Sequence, residues 1–253
     1  MKVLQSIKNS LKYIKWYEWA YSATFLVATI VLATVFHSPA LVIVNSIVGI
    51  FSISIVSKGF FLGAFTNCVS AIIYAALSYV NKYYGEALVG LCITLPMSLA
   101  RIFLWYKNRQ KGNGGFISIA QKAKWQELVI VACVALCSSV GFYFMLKAFN
   151  TSNLIFSTIS MTLGCVAGYL QLRRYTFNFA IYITNNIICI CLWVPVMLGD
   201  IANLPTVVSY VMYTGLNFFG IVNWVSLKKK QQTLQTEVAT EIATENQSND
   251  KEN

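Results

Sequence analysis

The chain has 253 residues, of which 57% are hydrophobic and 11% charged, and it carries a formal charge of +10. A soluble domain has roughly 25% charged residues, so this composition excludes an ordinary soluble fold and reads as an all-α polytopic membrane protein. The basic balance does not imply nucleic acid, because the charges sit at the ends of apolar segments, as topology signals do.

Residues 1–18 form a basic lead. Leu4, Ile7, Leu11 and Ile14 make a helical stripe opposite the lysines, which predicts a short interfacial helix on anionic lipid. The first apolar run follows this lead without an A-x-A-like cleavage site, so no signal peptide is expected. Eight apolar segments then run at about 19–36, 39–57, 59–80, 86–106, 127–147, 153–172, 177–198 and 204–226. Each approaches the ~20 residues that cross a hydrocarbon core as a helix, and helices satisfy their backbone groups internally. The longest connection holds Gly112, Asn113, Gly114 and Gly115. No strand precedes it, so a phosphate cradle is not expected. Residues 227–253 form a polar cytoplasmic tail, acidic from Gln231 to Asn253, where it is expected to be disordered or weakly helical.

Eight spans put both termini on one side. With the N-terminus inside, sixteen Lys and Arg residues fall on the inner side, only Lys82 and Lys147 on the outer, and Arg101 within a span. The positive-inside rule therefore predicts cytoplasmic termini. The seven cysteines all lie in apolar stretches with no clustered His or carboxylate, so neither a disulfide framework nor a metal site is expected. No nucleophile–base pair is visible, which argues against an enzyme, and no cofactor is implied.

A shift of 119 residues superposes Gly49 on Gly168, Asn67 on Asn186, Tyr74 on Trp193, Ser98 on Asn217 and Trp105 on Trp224. It also superposes spans two to four on spans six to eight. The predicted layout is 1+3+1+3: an extra first span, repeat one at about 38–106, a linker helix at about 127–147, and repeat two at about 153–226. One linker helix between two triplets makes the repeats parallel.

Polar residues inside these spans need partners. Asn67 and Asn186 occupy equivalent positions, each seven residues before an aromatic, and Asn45 and Asn217 also fall within spans. Phe179, Tyr182 and Asn186 share one helix face, as do Tyr210, Tyr213 and Asn217. Such an aromatic-and-amide face suits a flat, neutral or weakly cationic heterocycle, although interhelical glue is the alternative for any single asparagine. Glu18, Glu86 and Glu127 lie at span edges. A proton-coupled pump uses an intramembrane acid or His, so uncoupled, facilitated movement is expected. Arg101, about a turn from the end of span four, is expected to snorkel.

The stretch "LGAFTNCVSAIIYAALSYVNKYYGEAL…LPMSLARIFLWYKN" resembles the core of the PnuC-type vitamin transporters, best known for nicotinamide riboside. Gly63, Asn67 and Tyr74, then Tyr84, Gly85 and Glu86, then Pro96, Met97 and Trp105 match the pattern in order, as do Asn217, Gly220 and Trp224. The resemblance implies SWEET-like parallel three-helix repeats in a bacterial plasma membrane and facilitated diffusion by alternating access. It also implies trapping by a separate kinase and hydrogen-bonding roles for Asn67, Asn186 and Asn217. The expected substrate-binding set is Asn67, Tyr74, Ser98, Phe179, Tyr182, Asn186, Tyr213 and Asn217. Departures occur at Phe179 and Tyr182, where tryptophans are common, at Gly90 and Ser98, where Asn and Gln are, and at Arg101, where Gly is. These leave carriers of thiamine, riboflavin or deoxynucleosides open, and a non-transporting scaffold beside them. The expected partners are a small vitamin or nucleoside and the bilayer, with a monomer and a homotrimer both open.

Overall fold

The computed structural model describes residues 15–108, 117–119, 124–151 and 153–252. The amphipathic stripe of residues 1–14 and the Gly112–Gly115 loop lie outside these residues. Eight membrane-length apolar helices run in order among those described: α1 (Trp16–Val35), α2 (Ala40–Ser57), α3 (Leu62–Val80), α4 (Tyr84–Lys107), α5 (Trp125–Ala148), α6 (Leu154–Leu172), α7 (Asn178–Gly199) and α8 (Leu204–Glu252). Each expected span coincides with one helix. The tail departs from expectation, because α8 continues through it to Glu252. Residues 227–252 contain no Gly or Pro to stop a helix.

The turns are tight and share one device. His37, Lys82, Asn150 and Arg174 each adopt positive φ just beyond a helix. The following N–H reaches back into the last turn: Ser38 to Ala33 O, Tyr83 to Ser78 O, Thr151 to Leu146 O and Tyr175 to Leu170 O, at 2.8–3.1 Å. These are left-handed caps that satisfy helix-end carbonyls before the chain reverses. A π-helical segment, Val89–Thr94, interrupts α4 just before Pro96. Proline lacks the N–H and crowds the carbonyl four residues back, which accounts for the break.

Consecutive helices pack side by side except α4 and α5, and α8 closes the bundle against α1 and α2. The face where the chain enters α1 is stitched by buried polar contacts. Lys58 forms an ion pair with Glu18, whose Oε1 accepts from Asn223 Nδ2 at 3.0 Å. Burial pushes the Lys58 ammonium below its ordinary range, and the bond to Glu18 opposes that shift. Gln231 grips a loop segment with both ends of its amide: Nε2 donates to Ile117 O at 3.0 Å, and Oε1 accepts from Ile119 N at 2.9 Å. On the opposite face, Ser38 Oγ donates to Ala202 O at 2.6 Å and Tyr83 OH to Leu192 O at 3.0 Å.

Two aromatic layers lie along the helix axes. Trp105, Trp224 and Phe179 pack with Ile117 and Ile119 toward the N-terminal face. Tyr83, Trp193 and Leu192 pack with Val42 and Tyr210 toward the other.

Two outcomes follow for stability in detergent. Lys58→Met strands the Glu18 carboxylate in a buried site and should cost roughly 3–5 kcal/mol; adding Glu18→Gln should recover much of it in chemical denaturation. Lys82 is exposed at positive φ, so Lys82→Gly should raise stability by about 1 kcal/mol in the same assay.

Candidate functional site

Between the two aromatic layers lies a cavity of about 190 Å³ lined from α2, α3, α4, α6, α7 and α8. Six of the eight expected residues line it: Asn67, Tyr74, Tyr182, Asn186, Tyr213 and Asn217. They come from α3 and from the consecutive pair α7 and α8, more than a hundred positions apart at Asn67 and Asn186, so only the bundle brings the two groups together.

The other two do not line it. Phe179 is fully buried one layer lower, its ring edge-on to Trp224 at 4.9 Å between centroids. A side chain at Gly220 would come within 2.5 Å of that ring, so the glycine is what admits it. The reason is the depth of Phe179: it lies in the first turn of α7, beside the N-terminal face. Ser98 is also fully buried, and its Oγ accepts from Arg101 Nη2 at 3.1 Å.

Arg101 does not snorkel. It is 0% exposed. With the Asn67 amide turned to present its oxygen, Oδ1 accepts from Arg101 Nη1 at 3.0 Å and Nη2 at 3.1 Å. The guanidinium thereby fixes the orientation of the Asn67 amide. The π break in α4 lies between Glu86 and Arg101. Glu86, expected at a span edge, is 3% exposed and lines the cavity. Its Oε2 accepts from Tyr74 OH at 2.9 Å.

The remaining asparagines bear on the choice between glue and ligand contact. No side-chain hydrogen bond joins Asn45, Asn186 or Asn217 to another helix among the described residues, and all three line the cavity. Asn186 is 6% exposed and its Nδ2 has no partner. An unmet buried donor is costly. Other unbonded buried hydroxyls, such as Thr29 and Ser78, lie away from the lining. Tyr182 OH donates to Gln171 Oε1 at 3.3 Å. Tyr213 reaches the wall because residue 49 is glycine: a Cβ there would come within 2.0 Å of the Tyr213 hydroxyl.

Sequence reasoning did not select Ser52, Ser70, Glu86, Ser160, Gln171 or Asn185, which also line the cavity. Serines in membrane helices commonly bond their own backbone, so no periodicity marks these. Gln171 sits at the last turn of α6, where a polar residue reads as an end signal. Asn185 and Asn186 are adjacent, and a single helix face selects one of them.

At the mouth of the α6–α7 turn, Glu127 holds Arg173 at 2.6 and 3.0 Å and accepts from Tyr169 and Tyr175, each at 2.7 Å. The Glu127 bond raises the already high Arg173 range further. This cluster ties α5 to α6 outside the cavity.

The model of the family described as nicotinamide mononucleotide transporter matches residues 39–226. The nicotinamide riboside transporter PnuC of Neisseria mucosa is 28% identical over 191 residues, covering 74% of this chain and 72% of that protein. The nicotinamide riboside transporter PnuC of Haemophilus influenzae is 26% identical over 220 residues, covering 85% and 92%. A crystal structure of the vitamin B3 transporter PnuC superposes with a TM-score of 0.77 at 23% identity, covering 88% of this chain and 97% of that one; at that identity it speaks for the fold. A helical bundle of eight spans, a polar cavity at its centre and a family match that runs from the start of α2 into the membrane portion of α8 agree with one another: the chain belongs to the nicotinamide mononucleotide transporter family.

Proposed function

We propose that this protein carries nicotinamide riboside across a bacterial cytoplasmic membrane by alternating access and facilitated diffusion, with both termini cytoplasmic and a separate kinase trapping the substrate. The observation that carries this reading is the convergence of Asn67, Asn186 and Asn217 with Tyr74, Tyr182 and Tyr213 on one cavity. Amides suit a ribose and a carboxamide, and tyrosine rings suit a flat heterocycle.

A nucleoside is favoured over its phosphorylated form on charge. Among the described residues, Glu86 is the one charged residue on the lining, and no Lys or Arg lines the wall. A carboxylate there repels a phosphate, and no cation on that lining receives one. Facilitated movement is supported by the isolation of Glu86. Among the described residues, no second carboxylate or histidine continues from it along the lining toward either face.

Reciprocal packing supports parallel repeats. The paired positions of the 119-residue shift meet each other: Tyr74 against Trp193 at 6.4 Å and Trp105 against Trp224 at 6.0 Å between ring centroids. The first helix of each triplet packs on the third helix of the other, α2 on α8 and α6 on α4. Such an exchange relates the two triplets by an approximate two-fold axis, and the cavity lies between them.

The first test is thermal stability of the purified protein against nicotinamide riboside, thiamine, riboflavin and deoxynucleosides. A ligand at a hundred times its dissociation constant should stabilise the fold by about 2.7 kcal/mol. A shift with another ligand and none with nicotinamide riboside would reassign the substrate. Asn186→Leu should weaken nicotinamide riboside binding about tenfold to a hundredfold, as loss of a buried hydrogen bond of roughly 1–3 kcal/mol implies, and should reduce uptake accordingly. Its ligand-free stability should hold or rise, because Asn186 Nδ2 bonds nothing; a fall in stability with uptake intact would make the asparagine structural. Phe179→Leu should behave in the opposite way, lowering stability by roughly 1 kcal/mol or more while leaving ligand selectivity unchanged.

A further inference from the structure

Glu86 stands apart from every other group on the cavity wall. It is 3% exposed, its Oε2 is bonded to Tyr74, and its Oε1 makes no hydrogen bond. The nearby Ser160 hydroxyl contacts Cys189 Sγ at 3.3 Å, where either group can donate, and it also lies within reach of the Glu86 carboxylate. The titratable groups that share the lining are Tyr74, Tyr182, Cys189, Tyr210 and Tyr213, and none is a cation at neutral pH. Arg101 is not on the lining; it lies behind it, facing Ser98, Asn67 and the Tyr182 hydroxyl. The wall therefore presents a carboxylate with an open oxygen lone pair and no counter-charge. Two phenol rings, Tyr74 and Tyr210, share that part of the wall.

We propose that Glu86 is the counter-charge for a permanently cationic ring in the substrate, and that it selects the pyridinium form of a nicotinamide nucleoside over the neutral dihydropyridine form. This rests on the nicotinamide riboside reading above. The glycosidic bond to the ring nitrogen leaves a nicotinamide nucleoside with a fixed positive charge. A carboxylate held out of water without a counter-charge costs several kcal/mol. A cation entering the cavity relieves that cost, and the faces of tyrosine rings add to the attraction. The dihydropyridine nucleoside has nearly the same size and the same ribose and carboxamide, but no charge. It can meet the amides of Asn67, Asn186 and Asn217 and gains nothing from Glu86.

The experiment is calorimetric or thermal-shift titration of the purified full chain with nicotinamide riboside and with dihydronicotinamide riboside. The wild-type protein should favour the cation by about tenfold or more. Glu86→Gln keeps an acceptor for Tyr74 and removes the charge; it should bring the affinity ratio to within about threefold of unity, and Glu86→Asp should keep the preference. A wild-type protein that binds both forms equally, or a Glu86→Gln variant that keeps the wild-type ratio, overturns the proposal. If Glu86→Gln does not fold, the wild-type ratio still decides. A wild-type protein that binds neither form overturns the substrate reading itself, which is a different result from equal binding of the two.

Discussion

A polar side chain inside a bilayer must find a partner, since no water stands by to replace one. That demand organises this molecule. Many hydroxyls meet it within their own helix, as Ser54 does at Ile50 O and Thr158 at Leu154 O, both at 2.8 Å. Others meet it between helices and so fix the bundle. Glu18, Lys58 and Asn223 join α1, the end of α2 and α8, and Tyr83 with Asn153 joins the α3–α4 turn to the start of α6. What remains unmet on the cavity wall, Asn186 Nδ2 and Glu86 Oε1 among it, is where a ligand can complete the bonding.

The break that Pro96 places in α4 bears on the same demand. The π segment separates Glu86, on the cavity wall, from Arg101, behind Asn67. Two ionisable side chains on one membrane helix are thus given different polar surroundings: a tyrosine hydroxyl for the acid, and an amide oxygen and a serine for the guanidinium. The cavity is flanked along the helix axes by aromatic layers, and each layer draws on both halves of the chain. Movement of one half against the other would therefore rework both layers at once, which suits a site that opens alternately.

The sequence revealed much of the site because some of its features are periodic. Tyr182 and Asn186 repeat with helical spacing, as do Tyr213 and Asn217, and all four reach the cavity. Phe179 shares the first of those faces and still lies outside, because a helix face is longer than the cavity is deep; Gly220 and Trp224 take up its ring instead. Glu86 was hidden for the opposite reason. Counted along the chain it stands at the edge of a span, yet just beyond the turn at Tyr83 it is buried and lines the cavity. Arg101 looked close enough to an end to reach water, but its side chain runs toward Asn67.

Length, apolar runs and the placement of basic residues determined the class, the eight spans and the candidate asparagines, because the bilayer imposes these on any one segment independently of the rest. Which of the polar groups are mutually satisfied and which are left open was decided only by the tertiary structure. Hydrogen bonds between α3 and α4, or ion pairs between α1 and α2, depend on side-chain depth and on the angle at which helices meet. Neither is written in the spacing of residues along a single helix.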